Sequence, residues 1–385
     1  MLSIKTMKFI DKYLGIALCF LLSVFNKIKF LHRDGRRRTV RRILIIKFWG
    51  LGSIVFLLPL ITEIRKKYPD AKIYFLTLFQ NKELAELVKS IDEVITLRIG
   101  SLIHFVFACL FMLFKLRTKK FDLLYDCEFF ARFSAIVSYL SGAKETIGYY
   151  SSSEKLRGAL YTKKVLFDPS VHVWKAFMKI LQEPRDDFDV YKRDEIKISE
   201  NAYRKVEELF SKLNIKNKFV CVNVNTSLLA LERRWPQKYF VEVINFLTSK
   251  NLPVLLTGAN WNRSYVEETR QKCKDKELVF NLSGEIPIEQ LLVIFEKCLF
   301  FITSDSGPLH LATLVGARTI SFFGPETPDF YGPVGNSNIV FFKKLDCSPC
   351  MKVDNFKDVK CLYNAKCIKD IKPEEVIRVI QEKFL

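Results

Sequence analysis

The sequence predicts an α/β fold in two halves, each a parallel sheet covered by helices on both faces. The chain has 385 residues, which suits two domains better than one. Its hydrophobic fraction of 49% supplies apolar side chains for two cores. In both halves, short apolar runs of strand length alternate with helical segments, as they do in parallel sheets with helical crossovers.

The first half begins with a strand, a glycine-containing loop and a helix. The apolar run 41–47 is the predicted strand, residues 48–53 form the loop, and 54–67 form the helix, where Pro59 is tolerable only as a kink. The alternation continues with strands at 72–77, 93–97, 121–125 and 146–149 and helices at 82–89 and 129–142. The intervening segment 99–116 is apolar nearly all round, which indicates either a core helix or a second membrane-contacting surface.

The second half repeats this order after a polar connector at 186–199. Its predicted strands are 219–224, 253–257, 298–302 and 318–323, and its predicted helices are 201–213, 237–250, 265–274 and 309–315. We therefore expect three parts: a basic and apolar segment at 1–40, a first domain at 41–195 and a second at 196–385.

One turn in the second half is typical of an anion site. Ser304–Pro308 separates a strand from a helix, so the backbone N–H groups and the positive dipole end of that helix lie beside Ser306 and Gly307. His310, in the first helical turn, adds a donor. This arrangement favours a phosphate or diphosphate, and the alternative is an ordinary turn in which His310 has no function.

The charge of the chain predicts an anionic partner. Its net charge is +19, and its densest basic cluster, residues 33–42, follows the mostly apolar run 13–25. That neighbourhood favours an anionic membrane surface over nucleic acid, for which we find no motif. The run is shorter than the ~20 residues of a spanning helix and no signal-peptide cleavage site follows. We expect a helix that lies on the cytoplasmic membrane face, with a membrane span as the alternative.

The ten cysteines fall into two groups. Six are scattered in apolar surroundings, as buried free thiols would be, and no secretory context is evident, so we expect a reducing compartment. The other four have the spacing C-x₂-C-x₁₀-C-x₅-C: Cys347, Cys350, Cys361 and Cys367. Four thiolates could hold a structural zinc ion in a tetrahedron, and the alternative is free or redox-paired thiols.

Four blocks of the sequence resemble glycosyltransferase family 9, the ADP-heptose:lipopolysaccharide heptosyltransferases and their relatives. They are residues 43–77, 121–150, 222–240 and 303–333, the last reading TSDSGPLHLATLVGARTISFFGPETPDFYGP. The resemblance implies the GT-B fold, in which two Rossmann-like domains face a cleft. It also implies a nucleotide-sugar donor, with ADP-sugar favoured, in the second domain, and a lipopolysaccharide or other lipid-linked acceptor in the first. The expected location is cytoplasmic, peripheral on the inner membrane.

The resemblance also assigns residues to the donor site. Ser306, Gly307 and His310 match positions that contact the diphosphate, and Asp305 matches the motif aspartate. Arg233 or Arg234 stands where the family places a phosphate-pairing cation, and a guanidinium can hold a phosphate bidentately. The alternative for both arginines is a solvated loop pair. The family's ribose-contacting acid has no clear counterpart here, the nearest acids being Glu267 and Glu268.

The sequence departs from the family at the catalytic base. Characterised heptosyltransferases carry Gly-Asp in the loop after the first strand, where this chain has Gly52-Ser53, and serine at its ordinary pKa cannot be a general base. Three options remain: Asp126 or Glu128 takes the acceptor's proton, the acceptor's own phosphate assists, or the protein binds without turnover. Asp126 and Glu128 could instead be caps or ion-pair partners. Gly50 and Gly52 would let acceptor or sugar sit against a helix N-terminus.

Rival functions are less favoured. The dinucleotide pattern G-x-G-x-x-G fails at Val55, which argues against a dehydrogenase. The acidic residues 186–189 lie in the connector rather than in a plausible diphosphate loop, so we predict metal-independent catalysis. The sequence thus predicts an inverting glycosyltransferase that transfers a sugar, plausibly heptose. The alternatives are a catalytically impaired nucleotide-sugar-binding or scaffold protein at the membrane and, third, a nucleic-acid binder.

Overall fold

A computed structural model describes residues 4–30, 39–151, 155–183, 193–216, 218–227, 231–353 and 359–385. Most of the basic cluster 33–42 and the acidic part of the connector lie outside these residues. The chain forms two compact units, Met1–Asp189 and Val190–Leu385.

The first unit contains a six-stranded, all-parallel sheet in the order β3-β2-β1-β4-β5-β6. Its strands are β1 (Arg42–Ile46), β2 (Lys72–Leu78), β3 (Glu93–Leu97), β4 (Leu123–Asp126), β5 (Glu145–Tyr150) and β6 (Lys163–Leu166). Its helices are α1 (Ile4–Phe30), α2 (Leu51–Lys67), α3 (Lys82–Leu87), α4 (Leu102–Lys119), α5 (Arg132–Leu140), α6 (Lys155–Gly158) and α7 (Val173–Met178).

The second unit has the equivalent sheet in the order β12-β11-β10-β7-β8-β9, again all parallel. Its strands are β7 (Val220–Asn223), β8 (Val254–Leu256), β9 (Val279–Asn281), β10 (Phe301–Ser304), β11 (Thr319–Phe323) and β12 (Asn338–Phe342). Its helices are α8 (Glu200–Lys212), α9 (Gln237–Thr248), α10 (Arg263–Gln271), α11 (Ile288–Lys297), α12 (Gly307–Leu314), α13 (Pro328–Tyr331), α14 (Lys366–Lys369) and α15 (Pro373–Lys383).

Strand order reverses at the centre of each sheet, and this fixes where ligands can bind. β1 pairs with β2 on one side and β4 on the other, and β7 likewise lies between β8 and β10. Helices leave the two sides in opposite directions, which opens a crevice at the carboxyl ends of the central strands. The loops after β1 and β4, and those after β7 and β10, are therefore the places to look for function.

The central strands are buried on both faces, which explains their continuous apolar sequences. Ile43–Ile46 in β1 and Val254–Leu256 in β8 have no exposed surface. In the second unit, Trp235, Phe240 and Phe322 pack around the centre of the core. The prediction of two Rossmann-like α/β units is confirmed.

The segment predicted at 99–116 is not a core helix. It forms α4, which buries Met112 and Leu116 against the sheet but leaves a row of large apolar side chains exposed. Three edge strands, β6, β9 and β12, and several short helices were not predicted from the sequence.

The N-terminal helix is longer than the predicted apolar run. Within α1, Thr6–Asn26 is long and apolar enough to cross a membrane, judged by length and composition alone. One side of this helix nevertheless packs on the protein, where Cys19 joins Ala135, Ile136, Leu160 and Tyr161 in a small apolar cluster.

Candidate functional site

In the second unit, the loops after β7 and β10 are joined by a polar network. The side-chain amide of Asn223 donates to Thr303 Oγ1 at 3.2 Å and to the backbone oxygen of Asn225 at 3.1 Å. The hydroxyls of Thr303 and Ser306 lie 2.9 Å apart. Ser306 is thus held at the carboxyl end of β10, where the next helix begins.

Helix α12 starts at Gly307, with Pro308 at its second position and Ser306 as its N-cap residue. The Ser306 backbone is extended, and its side chain makes no capping bond to the helix because its hydroxyl points toward Thr303. His310 is buried in the first turns. The predicted strand, turn and helix are all present, and the start of α12 carries the positive end of its dipole.

Arg233 forms a nearly buried ion pair with Asp305. Its Nη1 lies 2.9 Å from Asp305 Oδ2, and only 11% of the arginine side chain is exposed. Burial disfavours the charged guanidinium, but the carboxylates of Asp305 and Glu326 outweigh it and raise the pKa of Arg233. The alternative of a solvated loop residue is wrong for Arg233, and Asp305 is bonded to this cation.

Trp235 fixes the loop that carries both arginines. Its backbone N–H donates to Ser304 Oγ at 3.0 Å, its indole N–H donates to the backbone oxygen of Ile371 at 2.9 Å, and its ring stacks on Phe322. The neighbouring Arg234 places its guanidinium 4.2 Å from the centre of the Tyr265 ring. Both arginines are therefore held close to the carboxyl end of β10.

Several buried polar atoms of this region have no hydrogen-bond partner among the described residues. They are the side-chain amide of Asn225, Thr257 Oγ1, Asn262 Oδ1 and the Nε atoms of Arg233 and Arg234. Such atoms each cost about 1–3 kcal/mol when left unpaired. Their concentration in the segments that follow β7 and β8 indicates a surface that a polar ligand would satisfy.

Sequence reasoning missed Asn225, Thr257 and Asn262. The signal that could have found them is positional, because Asn225 and Thr257 directly follow predicted strands at the ligand-binding edge of a parallel sheet. Glu267 and Glu268, the predicted nearest acids, are engaged elsewhere: Glu267 accepts from Asn281 and Arg270, and Glu268 pairs with Lys272.

In the first unit, Glu128 holds the loop that follows β1. Its Oε1 accepts from the backbone N–H groups of Phe48 and Trp49 at 2.7 and 2.9 Å, and its Oε2 lies 2.8 Å from Lys47 Nζ. Glu128 and Lys47 are both buried. The carboxylate therefore lies directly beside the glycine loop, at the reversal point of the sheet.

Asp126 has a different environment. It has no exposed surface, and its Oδ2 lies 2.6 Å from Tyr161 Oη and 3.2 Å from Arg157 Nη2. Its Oδ1 accepts from the Glu128 backbone N–H. Burial raises the pKa of Asp126, although Arg157 and these hydrogen bonds oppose the shift. The geometry does not support direct proton transfer to Asp126, because the hydroxyl of an acceptor substrate could reach this buried carboxylate only by breaking its hydrogen-bond network.

Gly50 and Ser53 shape the start of α2. Gly50 has φ of 88°, a left-handed conformation, and a Cβ there would lie 2.7 Å from Ser53 Oγ. Gly52 is buried and Ser53 half-buried in the first turn of α2. The predicted loop is present, and position 53 lies where a side chain can face the crevice end of β1.

The four C-terminal cysteines line one cavity of about 130 Å³. All four are free thiols, and within the described residues no three His, Cys, Asp or Glu side chains form a group that could hold a metal ion. Burial raises the pKa of Cys367 to about 11. The predicted zinc site therefore stays a prediction: the thiols share a cavity but do not converge.

The sequence matches glycosyltransferase family 9 (heptosyltransferase) over residues 112–360, well over half of the chain. The chain belongs to this family. The match includes Glu128, Arg233, Asp305 and the start of α12, and it confirms the resemblance found in the sequence.

Individual relatives agree with this assignment. A lipooligosaccharide heptosyltransferase 2 of Campylobacter jejuni is 34% identical over 155 residues, which cover 39% of this chain and 46% of that protein. This match spans less than half of the relative's length. The structure of E. coli ADP-heptose lps heptosyltransferase II is 18% identical with a TM-score of 0.70, covering 89% of this chain and 98% of that one.

A third similar protein is the E. coli heptosyltransferase WaaC, whose structure was solved with ADP. It is 16% identical with a TM-score of 0.65, and the alignment covers 89% of this chain and 99% of that one. At such identities the likeness shows the fold, so this family 9 chain has the GT-B architecture.

Proposed function

We propose that this family 9 protein transfers a sugar, which we propose to be heptose, from an ADP-sugar to a lipopolysaccharide-core or other lipid-linked acceptor. The observation that carries the proposal is the buried Arg233–Asp305 pair at the start of α12, together with the buried polar atoms in the loops after β7 and β8 that have no partner among the described residues. Similar proteins carry names that specify heptosyltransferases, and one was solved with ADP.

In this proposal, Arg233 and α12 receive the diphosphate of the donor. Asp305 holds one edge of the guanidinium through Nη1, while the buried Nε has no partner among the described residues and could donate to a phosphate oxygen. Ser306, Gly307 and His310 lie at the positive end of the α12 dipole, where the negatively charged diphosphate would be attracted. Negative charge builds up on the diphosphate as it leaves. Hydrogen-bond donors that are already in place stabilise this transition state without reorganising.

The unpaired atoms of Asn225, Thr257 and Asn262 would contact the rest of the nucleotide-sugar. They lie in the segments after β7 and β8, next to the segment that carries Arg233. An amide and a hydroxyl can both donate and accept hydrogen bonds, which suits ribose or sugar hydroxyls.

We propose Glu128 rather than Asp126 as the base that takes the proton from the acceptor hydroxyl. An inverting displacement needs a base within hydrogen-bond reach of that hydroxyl. Glu128 lies at the glycine loop, whereas Asp126 is enclosed by Arg157 and Tyr161. In the structure Glu128 is bonded to Lys47 and to two backbone N–H groups, so to take the proton its Oε2 would have to exchange the contact with Lys47 for one with the acceptor hydroxyl.

The position of Ser53 supports a second candidate, a protein that binds a nucleotide-sugar at the membrane without transferring it. Ser53 occupies the loop position where the family carries its catalytic aspartate, and a hydroxyl cannot replace a carboxylate as base. In both readings the protein works at the cytoplasmic face of the inner membrane, where a lipid-linked acceptor is presented.

Binding and transfer are tested separately. Thermal-shift and calorimetric titrations with ADP-, GDP-, UDP- and CDP-sugars should show selective binding of the ADP-sugar, weakened by Arg233→Ala. Arg263→Ala is the matched control, because Arg263 bonds Ser283 O and Glu285 on the surface of the same unit. The proposed donor site would be refuted if the protein bound none of these nucleotide-sugars, or if Arg233→Ala bound the ADP-sugar as tightly as the wild type.

Transfer is then measured with ADP-heptose and a lipopolysaccharide-core acceptor, with and without chelator. Turnover that persists in chelator agrees with metal-independent catalysis helped by Arg233. Donor binding without transfer, unchanged by Ser53→Asp, would favour the non-catalytic candidate.

A further inference from the structure

Most of the large apolar side chains exposed in the described chain belong to two helices of the first unit, α1 and α4. On α4, Phe107, Phe111 and Phe114 are each about two-thirds exposed, and on α1, Phe9 and Phe20 are exposed to a similar degree. Exposed apolar patches of this extent on a folded protein mark an interaction site. We propose that α1 and α4 together form a surface that docks on a bilayer containing anionic lipids.

Helix α1 differs from a surface helix in water, because polar groups lie on its protein-facing side and large apolar side chains lie on its outward side. Its protein-facing side carries Asp11, Gly15, Ser23 and Asn26 as well as the apolar Cys19, and its outward side is apolar apart from the exposed Lys12. The Asp11 carboxylate accepts from the backbone N–H groups of Arg132 and Phe133, at the start of α5. A helix that turns polar groups inward and Phe, Leu and Ile outward is suited to an apolar solvent.

Asp11 and Asn26 also show how α1 is held. Asn26 donates its side-chain amide to the backbone oxygen of Ala159 at 2.8 Å, near the far end of the packed stretch from Asp11. Between them, Gly15 lets the helix approach within contact distance of the Arg132 side chain. Since α1 is attached along its length, it would lie on the membrane with the rest of the unit rather than cross it.

Helix α4 presents a continuous apolar stripe. Its exposed residues Ile103, Phe107, Leu110 and Phe114 recur at helical spacing, and the opposite side packs on the sheet through Met112 and Leu116. The outward stripe contains no charged side chain before the last turns of the helix.

Both helices flank α5, so their exposed faces belong to one side of the unit. Phe133, in the first turn of α5, donates its backbone N–H to Asp11 of α1 and places its ring 5.7 Å from that of Phe105 in α4. The apolar surface is therefore composed of two helices that pack on either side of α5.

The charges around this surface favour an anionic bilayer, rather than a second copy of the chain, as the partner that covers it. Exposed Lys12 lies on α1, and exposed Arg117 and Lys120 follow the apolar stripe of α4. The whole chain carries a net charge of +19. Basic side chains at the edge of an apolar helix attract anionic headgroups, whereas two like-charged copies would repel each other.

The test is sedimentation of the full-length protein with vesicles. We expect binding to phosphatidylethanolamine vesicles that contain phosphatidylglycerol, weakening as salt is raised, and much less binding to phosphatidylcholine alone. Phe107→Glu/Phe111→Glu should lower vesicle affinity by at least about tenfold, because each substitution replaces inserted apolar area with a charge. Phe9→Glu/Phe20→Glu tests α1 in the same way.

Leu362→Glu/Tyr363→Glu is the matched control, since both side chains are exposed to a degree similar to those on the surface but lie in the second unit. This control should bind vesicles like the wild type, and circular dichroism should show all variants folded. The proposal is overturned if the wild type ignores anionic vesicles or if Phe107→Glu/Phe111→Glu binds them normally. It is also overturned if light scattering shows a dimer that this variant dissociates. None of these measurements depends on sugar transfer. A negative result for vesicle binding would therefore leave the proposed activity unaffected.

Discussion

At the scale of single residues, Asp305, which the resemblance assigns to the donor site, is a partner of Arg233. Asp305 is bonded to Arg233 Nη1, and this contact orients the guanidinium. The resemblance placed both residues in the donor site but could not show that they bind each other, because they are far apart in the sequence.

We expect Asp305→Asn to weaken ADP-sugar binding by about tenfold and Arg233→Ala by more, since a charge-assisted contact to phosphate is lost. In the Arg233→Ala background, Asp305→Asn should have little further effect on the dissociation constant measured by calorimetry. Two independent, additive losses would show instead that Asp305 contacts the ligand itself.

Glu128 is the residue on which turnover should depend. If it is the base, Glu128→Gln should lower kcat by about 10²–10⁴-fold and leave the donor dissociation constant unchanged. Adding Ser53→Asp to Glu128→Gln should restore part of the rate, because it returns a carboxylate to the family position.

Glu128 also clamps the loop after β1, so the melting temperature of Glu128→Gln is measured alongside its rate. A kcat within a few-fold of wild type would assign Glu128 to the clamp alone. A carboxylate at the end of β4 was predictable from the sequence. Which of Asp126 and Glu128 is enclosed was not, because both follow the same strand and only the tertiary fold brings Arg157 to Asp126.

At the scale of elements, most strands and their loops could be predicted, whereas three of the four edge strands could not. β3 was predicted at its observed bounds, because its apolar run is flanked by polar turns. β6 and β9, with sequences KKVL and VFN, are short and carry no distinct strand pattern. α4 was ambiguous because its apolar residues lie nearly all round, and only the fold shows which of them face outward.

The network of Arg157 joins three elements of the first unit. Arg157, in α6, lies 3.2 Å from Asp126 at the end of β4, donates to the backbone oxygen of Ala131 before α5, and has no exposed surface. Replacing it with methionine leaves a buried carboxyl without its counter-charge, which typically costs about 3–5 kcal/mol.

Arg157→Met should therefore lower the melting temperature of the protein markedly, as followed by circular dichroism. Arg193→Met, at a partly exposed arginine paired with Glu296, is the control and should melt within a few degrees of wild type. Equal melting temperatures for the two variants would contradict a structural role for the Arg157 network.

The predicted zinc site of the C-terminal cysteines can also be tested at the scale of elements. A structural zinc ion would appear as one metal per chain in elemental analysis of protein purified without added metal, and Cys350→Ser would remove it. The high pKa of Cys367, about 11, describes metal-free thiols, and a bound zinc ion would instead hold them as thiolates. Absence of metal from the wild type would leave the free-thiol alternative.

At the scale of the whole molecule, the two units share one strand order, and each has its own core and its own switch-point loops. The sequence showed this duplication through two similar alternations of strand and helix. What it could not show was that unpaired polar atoms at the crevice end of the sheet are found in the second unit alone among the described residues.

The proposal that the donor binds the second unit can be tested by hydrogen exchange. Binding of an ADP-sugar should slow amide exchange in peptides covering 223–227, 257–262 and 304–310, because the ligand would cover these loops and hold the start of α12 closed. Peptides covering 47–53 of the first unit, at the equivalent loop, serve as the internal control and should exchange at the same rate with and without donor. Arg233→Ala should abolish the protection at donor concentrations that saturate the wild type, since the buried cation would no longer neutralise the diphosphate. Protection confined to 47–53 would move the donor to the first unit and would remove the physical basis for assigning Arg233, Asp305 and α12 to the leaving group.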